Sequence, residues 1–258
     1  MSANETPSPQ PVYVYGVVRA GGRLAFDEAG VAGRPLELIE HDGVAAVVSD
    51  FPAEDFRVRR SDLHAHLRSV ERTFEQATVA PCPFGTVIGS REQVESHFLG
   101  PRRDELERLL EQLEGHVQMN VKAEYDEQAV LADLVAGDRE IGRLRERTKA
   151  LGAAAYYENI RLGELIASRL AARREADAAG IEAVLAAAAA AAVSEPADAG
   201  RLLVFKGSFL VARDALPEFD RTLDGLAERP PRELRFEATG PLPPIAFATL
   251  EPEGAAWA

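Results

Sequence analysis

The stretch Val79-Ala80-Pro81-Cys82-Pro83-Phe84-Gly85-Thr86-Val87-Ile88 limits the fold more than any other. Its apolar residues pattern as a short β-strand, but each proline removes a backbone N–H and fixes φ. Such a strand belongs at a sheet edge or a bulge, not in the middle of a ladder. Gly85 after Phe84 adds a bend or a close backbone approach. Amphipathic helical patterns flank the stretch, so helices and an interrupted strand must share one domain.

The rest of the first half fits that plan. Val12–Val18 is β-branched and aromatic, as a central strand should be. Leu36–Glu40 and Val44–Ser49 are further strands, and Asp42-Gly43 between them is a hairpin signal. Residues 61–77 repeat Leu63, Leu67, Val70, Phe74 and Ala77 at spacings of three and four, which predicts a helix burying that face. Helical runs follow over 91–99 and, after Gly100-Pro101, up to Glu114, with Leu106, Leu109, Leu110 and Leu113 inward. Gly115 is a natural helix stop.

The second half restarts the pattern. Val117–Tyr125 alternates with period two, as a half-buried strand does. Asp126–Ala136 is a short helix, and 138–193 reads as almost entirely helical with Gly152 a joint. The Ala186–Ala192 run reads either as a partner-binding helix surface or as a helix end that packs closely or frays. A kinked strand around Gly207 follows. Next comes a helix over 215–228 with Leu216, Phe219, Leu223 and Leu226 inward, and then a last strand over 234–238. Helices that cover sheets without strict βαβ alternation define an α+β plan. Two modified ferredoxin-like sheets are the simplest account, the second with a long helical segment. The expected division is a disordered tail over 1–11, domains over 12–114 and 115–251, and a tail over 252–258.

Composition narrows the function. A net charge of −13 argues against bulk binding to nucleic acid or anionic membrane. No apolar run approaches the roughly 20 residues needed to span a bilayer, and the polar N-terminus is not a secretory signal. One cysteine, Cys82, allows no internal disulfide and fits a reducing cytoplasm.

Motifs for chemistry are missing. His64 and His66 are two apart on a predicted helix, so they face different ways and are read as solvated or capping residues. Cys82 is the one candidate nucleophile, but nothing nearby lowers its pKa, and it reads as a buried structural thiol. There is no phosphate-cradling glycine loop. The basic cluster Arg143, Arg145, Arg147 and Lys149 lies among acids without interleaved aromatics, so RNA binding is disfavoured. The residues thus read as a non-enzyme with no catalytic, cofactor or metal site. The alternative is a ferredoxin-like small-molecule-binding regulatory module.

In order and spacing, several segments resemble the GvpF/GvpL family of gas vesicle accessory proteins. They are Tyr13–Val17, the Phe84-Gly85-Thr86 core of 79–87, the strand Val117–Tyr125 and Ala155-Tyr156-Tyr157. Phe209-Leu210-Val211 and the Gly240-Pro241-Leu242-Pro243-Pro244 exit complete the set. The family has Arg before Phe-Gly-Thr where this chain has Pro83, and it continues the exit with Tyr where Ile245 and Phe247 follow here. The resemblance implies a non-enzymatic role in assembling gas vesicles, in the cytoplasm and at the vesicle. It implies a small hydrophobic gas vesicle shell protein as partner, kept from aggregating or helped to nucleate, and other accessory proteins besides. Candidate motif or partner-surface residues are Pro81, Phe84, Gly85, Thr86, Tyr156, Gly240, Pro241, Pro243 and Pro244. The 79–88 edge and the 240–244 exit are expected to border the partner surface.

Overall fold

A computed structural model describes residues 10–52, 57–151, 154–195, 202–228, 234–248 and 250. The expected terminal tails lie almost wholly outside these residues. In chain order the first elements are strand β1 (Val12–Arg19), β2 (Glu37–His41), β3 (Val44–Asp50), helix α1 (Arg60–Gln76), β4 (Val79–Pro81) and β5 (Val87–Ile88). Then come α2 (Arg91–Gln93), which runs on into a π-helical stretch over Val94–Leu99, and α3 (Arg103–Leu113). The remainder is β6 (His116–Tyr125), α4 (Glu127–Gly137), α5 (Arg139–Leu151), α6 (Tyr156–Ala186), β7 (Ala191–Ser194), β8 (Leu203–Ala212), α7 (Leu216–Ala227) and β9 (Leu234–Leu242).

The first sheet has the order β2-β3-β1-β4, with β5 also paired to β1, and its pairings are antiparallel. The hairpin joining β2 and β3 turns through Asp42 (φ 41°) and Gly43 (φ 91°). Two positive φ angles in a two-residue loop suit the right-handed twist of the strands. β1 is the central strand, and Val12–Val18 is buried along its length. Helices α1 and α3 both pack against β1 and β4.

The second sheet has the order β7-β8-β6-β9. Its core joins Val121, Ala123 and Tyr125 of β6 to Val204, Phe209 and Val211 of β8 and to Phe219 of α7. The Phe209 and Phe219 rings lie 5.5 Å apart, tilted by 52°. Burying one such aromatic is worth about 3 kcal/mol. Counted within each sheet, both have strand order 2-3-1-4, which is the ferredoxin-like wiring. The modification lies in the first crossover of each. In the first sheet the β1–β2 link holds only a 3-10 turn at Val31–Gly33, whereas β6 and β7 are joined by α4, α5 and α6.

The chain divides into two compact units, residues up to Gln118 with those from Pro241 onward, and Met119–Gly240. Residues 241–248 and Leu250 therefore group with the first unit. Their anchors are local. Ala246 N–H donates to Gln118 Oε1 at 2.8 Å, and Pro243, Pro244 and Leu250 are buried.

Two expectations are corrected. The buried face of α1 is wider than the apolar stripe: Val70 is buried and Phe74 and Ala77 pack against the core, but Leu63 is exposed, and Asp62, Ala65, His66, Ser69 and Thr73 also face inward. Their polar atoms are satisfied on the spot. Ser69 Oγ donates to the Ala65 carbonyl, Thr73 Oγ1 to the Ser69 carbonyl, and the Asp62 carboxylate accepts from Arg59 N–H. The second correction is the alanine run, which leaves the helix at Ala186. Ala191–Ser194 then forms β7, with Val193 opposite Ser208 on β8. Pairing with a neighbouring strand here overrides the helix propensity of alanine.

Candidate functional site

The proline-interrupted stretch is built around a bulge in β1. Val14 faces Val48 and Gly16 faces Val47, so Tyr15 is an extra residue in the ladder. On its other side β1 pairs with β4 through Gly16↔Pro81, Val17↔Ala80 and Val18↔Val79, and with β5 through Val12↔Ile88 and Tyr13↔Val87. Residues 82–86 loop away opposite the bulge and stay tied to β1. Cys82 N–H donates to the Tyr15 carbonyl, and Val14 N–H to the Thr86 carbonyl, both at 2.9 Å. Gly16 is needed for this approach, since a Cβ there would lie 2.8 Å from the Ala80 carbonyl oxygen.

Residues 83–86 form a tight turn. Thr86 N–H donates to the Pro83 carbonyl at 3.2 Å, and Thr86 Oγ1 donates to the same oxygen at 2.8 Å. Gly85 has φ 93°, at the turn position where type II geometry favours glycine. The turn is held from inside the protein. Gly85 N–H donates to Tyr13 Oη at 2.7 Å, and Tyr13 Oη bonds His66 Nδ1 at 3.1 Å. Tyr15 Oη accepts from Val31 N–H at 2.7 Å and pairs with Ser49 Oγ at 2.9 Å. The His66 ring stacks on Tyr15 at 5.7 Å and meets the Phe84 ring edge-on at 5.6 Å.

These groups are electrostatically silent near neutral pH. Burial lowers the His66 pKa to about 4, with a hydrogen bond to the Cys82 backbone pulling the other way. Burial also raises the Tyr13 and Tyr15 phenols, partly offset by the hydrogen bonds they accept. The Cys82 thiol is pushed up to about 12 by burial, against the pull of the Arg102 guanidinium. A protonated, enclosed thiol is not a nucleophile. The cluster therefore fixes backbone geometry and offers no chemistry to a substrate. Sequence reasoning missed His66 as a core residue. The signal was the polar series 62, 66, 69 and 73, which lies on one helical face as regularly as the leucines do.

The candidate residues separate by exposure. Pro81, Gly85 and Thr86 are buried and Phe84 is half-buried, while Pro83 faces solvent. Gly240 and Pro241 are exposed at the end of β9, and Pro243 and Pro244 are buried. Tyr156 is exposed at the start of α6. An open cavity of about 590 Å³ lies beside the start of α1, where Arg57, Arg59 and Arg68 line it with Asp62. No group of metal-ligating side chains occurs among the described residues, and no described helix is long and apolar enough to cross a membrane.

Comparison with known proteins identifies the fold. A family model described as gas vesicle synthesis protein GvpL/GvpF matches residues 11–249. The chain belongs to the GvpL/GvpF family. Gas vesicle protein F of Streptomyces sp. (strain CB03234) is 32% identical over 238 residues, covering 91% of this chain and 98% of that protein. Gas vesicle protein F of Dolichospermum flosaquae is 22% identical over 93% of this chain and 98% of its own length. The crystal structure of GvpF from Anabaena sp. PCC7120 superposes with a TM-score of 0.79 at 21% identity, over 94% of this chain and 99% of that one. The GvpF structure from Microcystis aeruginosa gives a TM-score of 0.69 at 21% identity, over 93% and 99% of the two chains. Both share the α+β plan of two antiparallel sheets. GvpL/GvpF is a gas vesicle synthesis family. In this member the Phe84-Gly85-Thr86 motif is the turn that closes the interrupted edge of the first sheet.

Proposed function

We propose that this chain acts in gas vesicle synthesis by binding the small hydrophobic shell protein, holding it apart from its own kind until it joins the growing wall. The observation that carries the reading is the GvpL/GvpF match across residues 11–249, nearly the whole chain. Elementary physics supports it. A subunit destined for a wall exposes apolar surface before assembly, and such surface aggregates unless a partner covers it. A cover that itself carries a net charge of −13 resists co-aggregation. The one candidate nucleophile that sequence alone offers, Cys82, is buried in the core.

The test is capture of co-expressed shell protein by the tagged full chain at low and high salt, beside a size-matched acidic control protein. Selective capture that persists at high salt is expected of an apolar interface. Capture no better than the control would overturn the proposal.

A further inference from the structure

The α5–α6 pair is an antiparallel hairpin whose shaft is laced by ion pairs. Arg169 on α6 reaches Glu140 on α5 at 3.1 Å and Asp138, just before α5, at 2.9 Å, and Arg147 on α5 reaches Glu158 on α6 at 3.7 Å. These contacts place Leu151, at the end of α5, and Tyr156, at the start of α6, at the tip. There the normal distribution of side chains reverses. Tyr156 is 68% exposed, Tyr157 80%, Ile160 45% and Leu151 41%. These are four of the eight large apolar side chains exposed among the described residues. The other four are spread over three other places in the chain, so the tip is a patch and they are not. The two tyrosine rings meet edge to face at 5.4 Å, leaving their outer faces to solvent.

The charge around the tip is also reversed. Residues 139–161 carry six Lys and Arg against three Glu, on a chain whose net charge is −13. Among the described residues Arg143, Arg145 and Arg161 are exposed and hold no ion pair or hydrogen bond. Helical spacing aims them at the patch. Arg143 lies on the Leu151 face of α5, two steps of four away, and Arg161 follows Tyr157 by four on α6. Tyrosine and arginine together are the residue types that dominate binding hot spots.

We propose that this hairpin tip is the surface that takes the apolar shell subunit, and that the subunit meets it with an apolar face bordered by carboxylates. The inference rests on the function proposed above and assigns its location. The two sequence motifs expected to border the partner are poorer seats. Pro81, Gly85, Thr86, Pro243 and Pro244 are buried, while the tip is open. The occupant is a protein surface and not a polyanion, because the field of a chain at −13 repels nucleic acid and anionic membrane at long range. The free arginines instead suit a few carboxylates at short range.

The test compares capture of co-expressed shell protein by four full-length chains. They are the wild type, Tyr156→Ser/Tyr157→Ser/Ile160→Ser, Arg143→Glu/Arg161→Glu and the control Val193→Ser. Losing two or three anchors should cut capture on the order of tenfold or more at low and high salt alike. The charge reversal should weaken capture several-fold at low salt and little at high salt. The control should match the wild type, and circular dichroism melts should coincide for all four, since the altered side chains are exposed. Wild-type capture retained in full by the triple serine variant would overturn this assignment and leave the proposed function standing. Absence of capture by the wild type would overturn both. Light scattering and vesicle flotation decide the occupant. A dimer of the purified wild type that the serine substitutions dissolve would give the tip to a second copy and refute the shell-subunit assignment. Tip-dependent flotation with phosphatidylserine vesicles would refute it in favour of membrane.

Discussion

His66 should make this protein acid-sensitive in a pH range where carboxylates are still ionised. The ring is 3% exposed, Tyr13 Oη lies 3.1 Å from Nδ1, and burial lowers its pKa from 6.5 to about 4. The unfolded chain therefore binds a proton between those values that the folded chain refuses. Stability is complete above pH 6.5, falls as pH drops through the window, and stops falling below about 4. Each pH unit inside the window costs about 1.36 kcal/mol. Between pH 6.5 and 5 this one side chain should remove about 2 kcal/mol, and over the whole window about 3 kcal/mol. The assay is urea unfolding at half-unit steps from pH 7.5 to 5, for the wild type and for His66→Asn, whose amide oxygen can still accept from Tyr13. The variant should be the less stable at pH 7.5, and the gap should close by about 2 kcal/mol at pH 5. Parallel stability curves for the two proteins would refute the argument, because they would mean that His66 titrates alike in the folded and unfolded chains.

Gly85→Ala should cost about 1–2 kcal/mol in the same unfolding assay, because an L side chain at φ 93° is strained whatever room surrounds it. Gly85→Asn should cost less, since asparagine tolerates positive φ best among the other residues. The Cys82 thiol should react with a disulfide reagent only at the rate of unfolding, rising with denaturant. Fast labelling of the native protein would contradict its enclosure and its pKa of about 12. Phe219→Ala should remove about 3–5 kcal/mol by opening a cavity against Phe209. A loss below 1 kcal/mol would show that the second core can collapse around the gap.

Strands were the most legible part of the sequence. Val12–Val18 announced a central strand by its β-branched content, and every one of its residues is buried in the first sheet. Asp42-Gly43 announced its hairpin because few dipeptides adopt two positive φ angles. Prolines 81 and 83 announced an edge, and β4 and β5 are two fragments of one. What failed was reading how wide the inward face of α1 is, since Val70, Phe74 and Ala77 do pack inward but polar residues join them. Apolar periodicity assumes that carbon seeks the core, but His66, Ser69 and Thr73 enter it with partners that periodicity cannot supply. Tyr13 lies 53 residues from His66 in the chain, so only the folded topology reveals that the imidazole is satisfied. Alanine was similarly uninformative at 186–192, since it accepts either a helix or a strand and β8 decided between them. The exposed tip was hidden by the opposite error. Tyr156 and Ile160 lie on the apolar side of a helical wheel, and a wheel cannot show that packing on that side reaches Leu170 but leaves these two in solvent.

The matched wiring of the two sheets gives the chain a place to vary. Strand pairing requires only that the link from the first to the second strand of each unit return to the proper edge. In one unit a loop with a single 3-10 turn does so, and in the other an excursion of three helices. Chain entropy charges little for the difference, since closing a loop grows costlier only with the logarithm of its length. Within the excursion, the buried anchors on the second core are Val130 near the beginning and Ile181 and Leu185 near the end. The span between them is a cassette. Its tip, where Tyr156, Tyr157 and Ile160 stand in solvent, can change while both sheets keep their register, so that surface is open to change at little cost to the fold.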